Sequence, residues 1–202
     1  MPDRKTIIYL VRHGQTDWNK QGLLQGSFDT PLNARGLEQA RELAEILDIE
    51  PDVVFTSPLR RAIQTAKVIS KKFQKPITVV DGLRERSYGS FEGQHTDSFD
   101  PARAALKGLQ NSDRLTYRHK DEETEGEALA RFIPALSEIA RLSDGKIGLV
   151  IGHGSIIRSF IYHHLDKLGM ESPRLGNTAF IKLEINQSSF KVLSHYGVTD
   201  RK

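Results

Sequence analysis

The sequence predicts an α/β fold: a three-layer α/β/α sandwich around a mostly parallel central sheet. Two observations carry this. Short apolar runs rich in β-branched residues, such as Thr6-Ile7-Ile8-Tyr9-Leu10-Val11 and Lys146-Ile147-Gly148-Leu149-Val150-Ile151, read as strands buried on both faces. Between such runs lie segments with apolar residues at helical spacing, and strands that alternate with helices pack as a parallel sheet covered on both sides. The crossovers should be right-handed. The chain of 202 residues is long enough for one well-buried core and reads as a single domain over 1–202.

The first strand, Thr6 to Val11, runs into Arg12-His13-Gly14 and a loop of turn formers from Gly22 to Pro31. Asn33 reads as an N-cap, and Leu37, Ala40, Leu43, Ala44 and Leu47 give the next helix its apolar face. Val53-Val54-Phe55-Thr56 is a second strand. Ser57-Pro58 reads as a helix start, with a hydroxyl cap and proline at the first helical position. Leu59, Ala62, Ile63, Ala66, Ile69 and Phe73 then line one side, and Ile77-Thr78-Val79-Val80 is a third strand. From about 84 to 123 no periodicity holds, and this excursion is expected to be a largely helical insertion over the active-site face. Thr124-Glu125-Gly126-Glu127 fits a capping box for a following helix. The fourth strand ends in Gly152-His153-Gly154 and feeds another helix. Ala179 to Leu183 and Phe190 to Ser194 read as a closing, hairpin-like pair.

Composition narrows the class. Hydrophobic residues at 38% and charged residues at 27% are those of a soluble globular protein. The 29 Lys and Arg against 26 Asp and Glu give a mild net charge of +3, which does not call for a nucleic-acid partner. The absence of cysteine excludes disulfides, thiolate catalysis and Cys-type metal sites. No apolar signal region precedes the first strand and no long apolar span follows, so a cytoplasmic location without membrane association is expected. Oligomeric state is unreadable.

In an open parallel sheet the ligand crevice lies beyond the carboxyl ends of the strands. Three strand ends deliver Arg12-His13-Gly14, the helix start bearing Arg60 and Arg61, and Gly152-His153-Gly154 to that one face. Gly14 is expected to let a ligand approach the backbone. An ordinary strand end with a surface histidine is the alternative for any one of these motifs alone. Two imidazoles among guanidinium groups make a poor metal site, because the cations repel the metal and a third ligand is missing. The same set suits a phosphoryl group, with donors on its oxygens and one neutral imidazole attacking in line. Glu85, after the third strand, is the best-placed carboxyl to protonate a leaving oxygen; the alternative is a solvated Glu85 paired with Arg84 and Arg86.

Four ordered motifs cover nearly the whole chain apart from the excursion. They are Leu10-Val11-Arg12-His13-Gly14-Gln15-Thr16 with Asn19, then Ser57-Pro58-Leu59-Arg60-Arg61-Ala62, then Leu83-Arg84-Glu85-Arg86-Ser87-Tyr88-Gly89 with Phe91-Glu92-Gly93, and finally Gly152-His153-Gly154. Together they resemble the histidine phosphatase superfamily, in its phosphoglycerate-mutase-like branch (branch 1). The resemblance implies a phosphoglycerate-mutase-like fold and a two-step covalent mechanism. His13 would attack phosphorus, Glu85 would protonate the departing alkoxide, and Arg12, Arg61 and His153 would hold the transferring oxygens. Water activated by Glu85 would then release phosphate. It implies no metal and no organic cofactor, and it places Asn19, Gln25, Gly26 and Tyr88 at the substrate.

Phosphatase and mutase share the phosphohistidine and differ in the acceptor. Mutases of the family resemble one another in a longer middle insert and a C-terminal lid, so a metal-independent phosphomonoesterase acting on a small phosphorylated metabolite is the leading expectation. A phosphoglycerate mutase is the alternative, and a non-catalytic phospho-ligand-binding or interaction protein a third. Arg114, Arg118, His119 and Lys120 in the excursion are candidates for a second anionic group, against a solvated charged face. Where the family has Gly-Glu-Ser, this chain has Gly126-Glu127-Ala128. His163, His164 and His195 read as packing, surface or structural residues, and Trp18 as packing for its loop.

Overall fold

The computed structural model describes residues 5–186 and 189–200. Six strands form one sheet: β1 (Thr6–Arg12), β2 (Val53–Thr56), β3 (Ile77–Val79), β4 (Ile147–Gly152), β5 (Pro173–Asn186) and β6 (Ser189–Asp200), in the order β3-β2-β4-β1-β5-β6. The first four are parallel neighbours, while β5 runs antiparallel to β1 and β6 antiparallel to β5. The sheet is therefore parallel where the motifs sit.

Strand alternation sorts β1 between two cores. Ile8 and Leu10 face Phe132, Leu136, Ile156 and Phe160, from the helices α6 (Glu125–Leu142) and α7 (Gly154–His164). Tyr9 and Val11 face Leu43, Ala62, Ala66 and Ile69, from α2 (Ala34–Ile46) and α3 (Arg60–Phe73). These two layers complete the three-layer sandwich. Asn33 caps α2 by accepting from Gly36 N, and Thr124 with Glu127 forms the expected capping box of α6.

Several boundaries differ from the sequence reading. Helix α3 begins at Arg60, because the Ser57 hydroxyl accepts the Leu59 N–H at 3.3 Å and holds Ser57-Pro58 in a turn ahead of it. The closing strands are longer than expected and carry a register shift between Leu175 and Phe180. The excursion is helical only in its second half, in α4 (Asp100–Gly108) and α5 (Asn111–Thr116); residues 84–99 hold single 3₁₀ turns. It folds on a small core of its own, in which Phe99 meets Tyr88 and Phe91 edge-on at centroid distances of 5.0 and 5.1 Å. Among the described residues no helix is long and apolar enough to cross a membrane.

Gly14 does not open the backbone to a ligand. A Cβ there would lie 2.4 Å from the carbonyl oxygen of Gly36, and a Cβ on Gly36 would lie 2.0 Å from that of Gln15. The two glycines let the start of α2 press against the loop that follows β1. Gly36→Ala should therefore destabilise the protein by about 1–3 kcal/mol through backbone overpacking. Gly108→Ala, at the end of α4 where nothing lies within 4 Å, should be neutral or stabilise by up to about 1 kcal/mol. Urea denaturation of the two variants checks the contrast, and equal midpoints would contradict it.

Candidate active site

The register of the sheet creates the site. Arg12 lies opposite Gly152 in the parallel β1/β4 ladder, so His13 and His153, the next residues, leave the sheet side by side. The backbone pairing continues as His13 N donates to Gly152 O at 3.1 Å, and the two rings stand 5.2 Å apart between centroids. Strand β2 ends beside them at Thr56, and the N–H of the next residue, Ser57, reaches Ile151 O at 3.0 Å.

Hydrogen bonding assigns the ring atoms of both histidines. His13 Nδ1 lies 2.6 Å from Gly14 O, a group that only accepts, so Nδ1 carries the proton and Nε2 keeps its lone pair. The His13 carbonyl accepts from Thr178 N at 3.3 Å and from Asn177 Nδ2 at 3.1 Å, which fixes the backbone under the ring. Asn177 and Thr178 lie in the register-shifted part of β5, and Thr178 takes a left-handed φ of 58°. Burial, reinforced by Arg61 and Arg12, holds the His13 imidazole well below the usual histidine range, so it is neutral at pH 7. Burial and Arg61 do the same to His153. Its Nδ1 accepts from Arg61 Nε at 3.2 Å, so its Nε2 donates to Ser57 Oγ at 2.7 Å.

Arg61 is 1% exposed. Besides His153 it donates to the carbonyls of Gly26 at 2.7 Å and Phe28 at 2.6 Å, which draws the loop after α1 (Asp17–Gln21) over the strand ends. Arg12 donates to Leu175 O at 2.6 Å, while its buried Nε has no partner. Burial lowers the pKa of each guanidinium to about 10, against a raising influence of Glu85, and both remain charged. The Glu85 carboxyl accepts three backbone N–H groups: Ser155 at 2.9 Å and Ile156 at 2.8 Å, from the first turn of α7, and Arg86 at 2.9 Å. A helix N-terminus is a natural seat for such a group. Tyr88 is tied beside it, its hydroxyl 2.6 Å from Ser155 Oγ.

A cavity of about 290 Å³ opens over this arrangement, lined by Arg12, His13, Arg61 and Glu85 together with Asn19, Gln25, Gly26 and Tyr88. Eight of the nine residues singled out in the sequence thus share one cavity. His153 stands behind it, fully buried, with both ring nitrogens bonded within the protein. Asn19 completes the capping box of α1 with Thr16, and its Oδ1 also accepts from Asn177 Nδ2 at 3.3 Å. Gln25 Oε1 accepts from the hydroxyls of Thr16 and Thr30. Gly26 takes a φ of 49° where a Cβ would collide with Glu92. Glu92 in turn accepts from Ser27 and Ser87 and from Tyr88 N, locking the two loops together.

The basic cluster of the excursion is not at the cavity. Arg114 pairs with the buried Glu125 at 2.9 Å, and Arg118 with Glu127 at 2.6 Å. His119 stacks on Phe91, and the Lys120 ammonium sits over the same ring. Burial alone would raise the Glu125 carboxyl, but hydrogen bonds from His163 and Arg114 bring it down to about 2. His163 is therefore a buried partner of Glu125. His164 packs on Phe160, His195 is exposed on β6, and Trp18 packs against Phe28. The cavity is also lined by Arg103, Arg158 and Arg174, which sit in no sequence motif.

Comparison with known proteins agrees with this geometry. The family model of the histidine phosphatase superfamily (branch 1) matches residues 8–197. The chain is 33% identical over 189 residues to the uncharacterized phosphatase PhoE of Bacillus subtilis, covering 93% of this chain and 92% of that one. It is 32% identical over 190 residues to phosphoglycerate mutase 1 of Saccharomyces cerevisiae, with 77% and 76% covered. Among solved structures it is similar to Bacillus stearothermophilus YhfR, at 27% identity and a TM-score of 0.78 over 93% of this chain and 95% of that one. Four motifs in order and one shared cavity agree with a family match over nearly the full length: the chain belongs to the histidine phosphatase superfamily, branch 1, and is an enzyme of the phosphatase or phosphoglycerate-mutase type.

Proposed function

We propose that the enzyme is a metal-independent phosphatase that hydrolyses phosphomonoesters of small metabolites through a phosphohistidine at His13. The observation that carries this is the tautomer of His13. With Nδ1 spent on Gly14 O, a neutral Nε2 with a free lone pair belongs to a residue lining a cavity that also holds Arg12, Arg61 and Glu85. Attack by Nε2 forms the N–P bond as the P–O ester bond breaks. Glu85, in its acid form, gives its proton to the departing oxygen, and Arg12 and Arg61 balance the charge on the transferring oxygens. Glu85 then takes a proton from water as its oxygen attacks phosphorus, releasing inorganic phosphate and restoring Nε2. His153 acts from behind, holding the Arg61 guanidinium through its Nδ1.

Water as the acceptor is supported by the match to a phosphatase over 93% of this chain and 92% of that one; a phosphoglycerate mutase of Parvibaculum lavamentivorans matches over 86% of each. A cavity of about 290 Å³ is at the small end of ligand sites and favours a small metabolite.

His13→Ala should abolish phosphate release with the far-UV circular dichroism unchanged; substantial residual turnover would remove His13 from the nucleophile's role. Glu85→Gln should cost about 10²–10⁴-fold in kcat/KM on an alkyl phosphate and far less on an aryl phosphate, whose leaving group needs no proton. Equal losses would argue against a general acid.

The buried imidazoles also predict a pH dependence of stability. Both are held neutral in the folded protein but take up protons near pH 6.5 when unfolded, so stability falls as pH drops below 6.5. Between pH 7.5 and 5.5, without phosphate, the two together should cost about 3 kcal/mol of unfolding free energy. Urea titrations at the two pH values measure this, and His13→Asn should show about half the dependence.

A further inference from the structure

Glu85 stands on a stretch of backbone that no ladder holds. The 3₁₀ turn Asp81–Leu83 ends just before it, and residues 84–88 belong to no helix or strand. Buried backbone groups in such a stretch still need partners. Here one side chain supplies several of them. A guanidinium carries five N–H donors in a planar fork, and Arg131 on α6 spends all five. Its Nη1 donates to the carbonyls of Gly82 at 3.1 Å and Arg84 at 2.7 Å, and its Nη2 to that of Glu85 at 3.0 Å. Nε and Nη2 also hold the two carboxylate oxygens of Glu123, each at 2.9 Å.

Glu123 grips the same stretch from its far end. Its Oε2 accepts Ser87 N–H at 3.1 Å, its own N–H donates to Ser87 O at 3.1 Å, and its carbonyl accepts from Arg86 Nε at 2.6 Å. The chain from 82 to 87 is thus pinned to α6 and the residues just before it. Gly82 permits the approach, since a Cβ there would lie 2.7 Å from both Ala135 Cβ and the Arg131 carbonyl oxygen. The peptide joining Glu85 to Arg86 carries this hold to the acid. Its carbonyl and N–H point in opposite directions, so the arginine on the carbonyl aims the Arg86 N–H the other way, at Glu85 Oε1 2.9 Å away.

Resting on the reading of Glu85 as general acid, we infer that Arg131, backed by Glu123, is the positioning residue of that acid. It fixes the peptide that follows Glu85, and through it the aim of the carboxyl at the leaving oxygen. Arg131 itself is not among the residues that line the cavity. Lysine cannot take its place, because three donors on one ammonium cannot span three carbonyls and a carboxylate.

Arg131 and Glu123 are 25% and 20% exposed, so Arg131→Gln strands no fully buried charge and should fold. Arg131→Gln and Arg131→Lys should each lower kcat on an alkyl phosphate by about 10–100-fold with KM within about twofold, because a misaimed acid is felt in the transition state. On an aryl phosphate, whose leaving group needs no proton, the loss should stay within about threefold. Added to Glu85→Gln, Arg131→Gln should cost at most about threefold more on the alkyl substrate. Arg141→Gln, which breaks an exposed pair on the same helix, should change none of these values. If Glu85→Gln discriminates between the substrates, equal losses on both in Arg131→Gln, or its full loss repeated in the double variant, would overturn the positioning role.

Hydrogen exchange followed by NMR gives a readout that does not depend on what Glu85 does. The Arg86 amide should exchange at least about tenfold faster in Arg131→Gln, while the Ser155 and Ile156 amides on the same carboxyl keep their rates. Equal losses on both substrates in Glu85→Gln itself would remove the acid reading; that exchange pattern would still uphold the positioning of the carboxyl, and an unchanged Arg86 rate would overturn it.

Discussion

The structure depends on burying Arg61. A guanidinium that is 1% exposed must find its partners inside the protein, because an unpaired buried cation costs several kcal/mol. Its three contacts come from two places in the chain. One is His153 at the end of β4, and the others are the carbonyls of Gly26 and Phe28 in the loop after α1. The cation thus ties α3 to the sheet and holds the loop after α1 as a wall of the cavity. Glu92 fastens that loop to the residues following Glu85, so two walls of the cavity are held by one connected set of bonds.

The same burial sets the chemistry. Burial, reinforced by the two guanidinium groups, keeps both rings neutral, and neutrality is what a nucleophilic imidazole requires. The carbonyl of Gly14 then selects which ring nitrogen of His13 stays free. Stability is given up for this arrangement, since every one of these groups would be better solvated in the unfolded chain. The left-handed Thr178 adds a local cost beside the donors that hold the His13 carbonyl.

The parts legible in the sequence were those governed by short-range pattern. Strand ends in a parallel sheet meet on one face, so Arg12-His13, the helix start with Arg60 and Arg61, and Gly152-His153 could be brought together without coordinates. The choice of Arg61 over Arg60 and of Glu85 as the acid came from the resemblance to the family. The capping residues Asn33 and Thr124 were equally plain. The excursion was not, because its core joins Leu24 to Tyr88, Phe91, Phe99 and Ala102, residues at no regular spacing and partly from another loop. Gly14 was misread for a similar reason: the backbone it accommodates, at Gly36, is distant in sequence. Arg158 and Arg174 carried no local signal either. One sits on an ordinary amphipathic helix and the other in a strand, and only the tertiary fold turns both toward the cavity.

The central claim is a covalent phosphoryl group on His13. The direct measurement is rapid mixing of the enzyme with excess substrate, an alkaline quench that preserves phosphohistidine, and mass spectrometry of the resulting peptides. The account predicts one phosphoryl group on the peptide containing His13, formed at least as fast as turnover and missing from His13→Ala. Phosphate release with no labelled His13 at any time, or a label on a different residue, would contradict it.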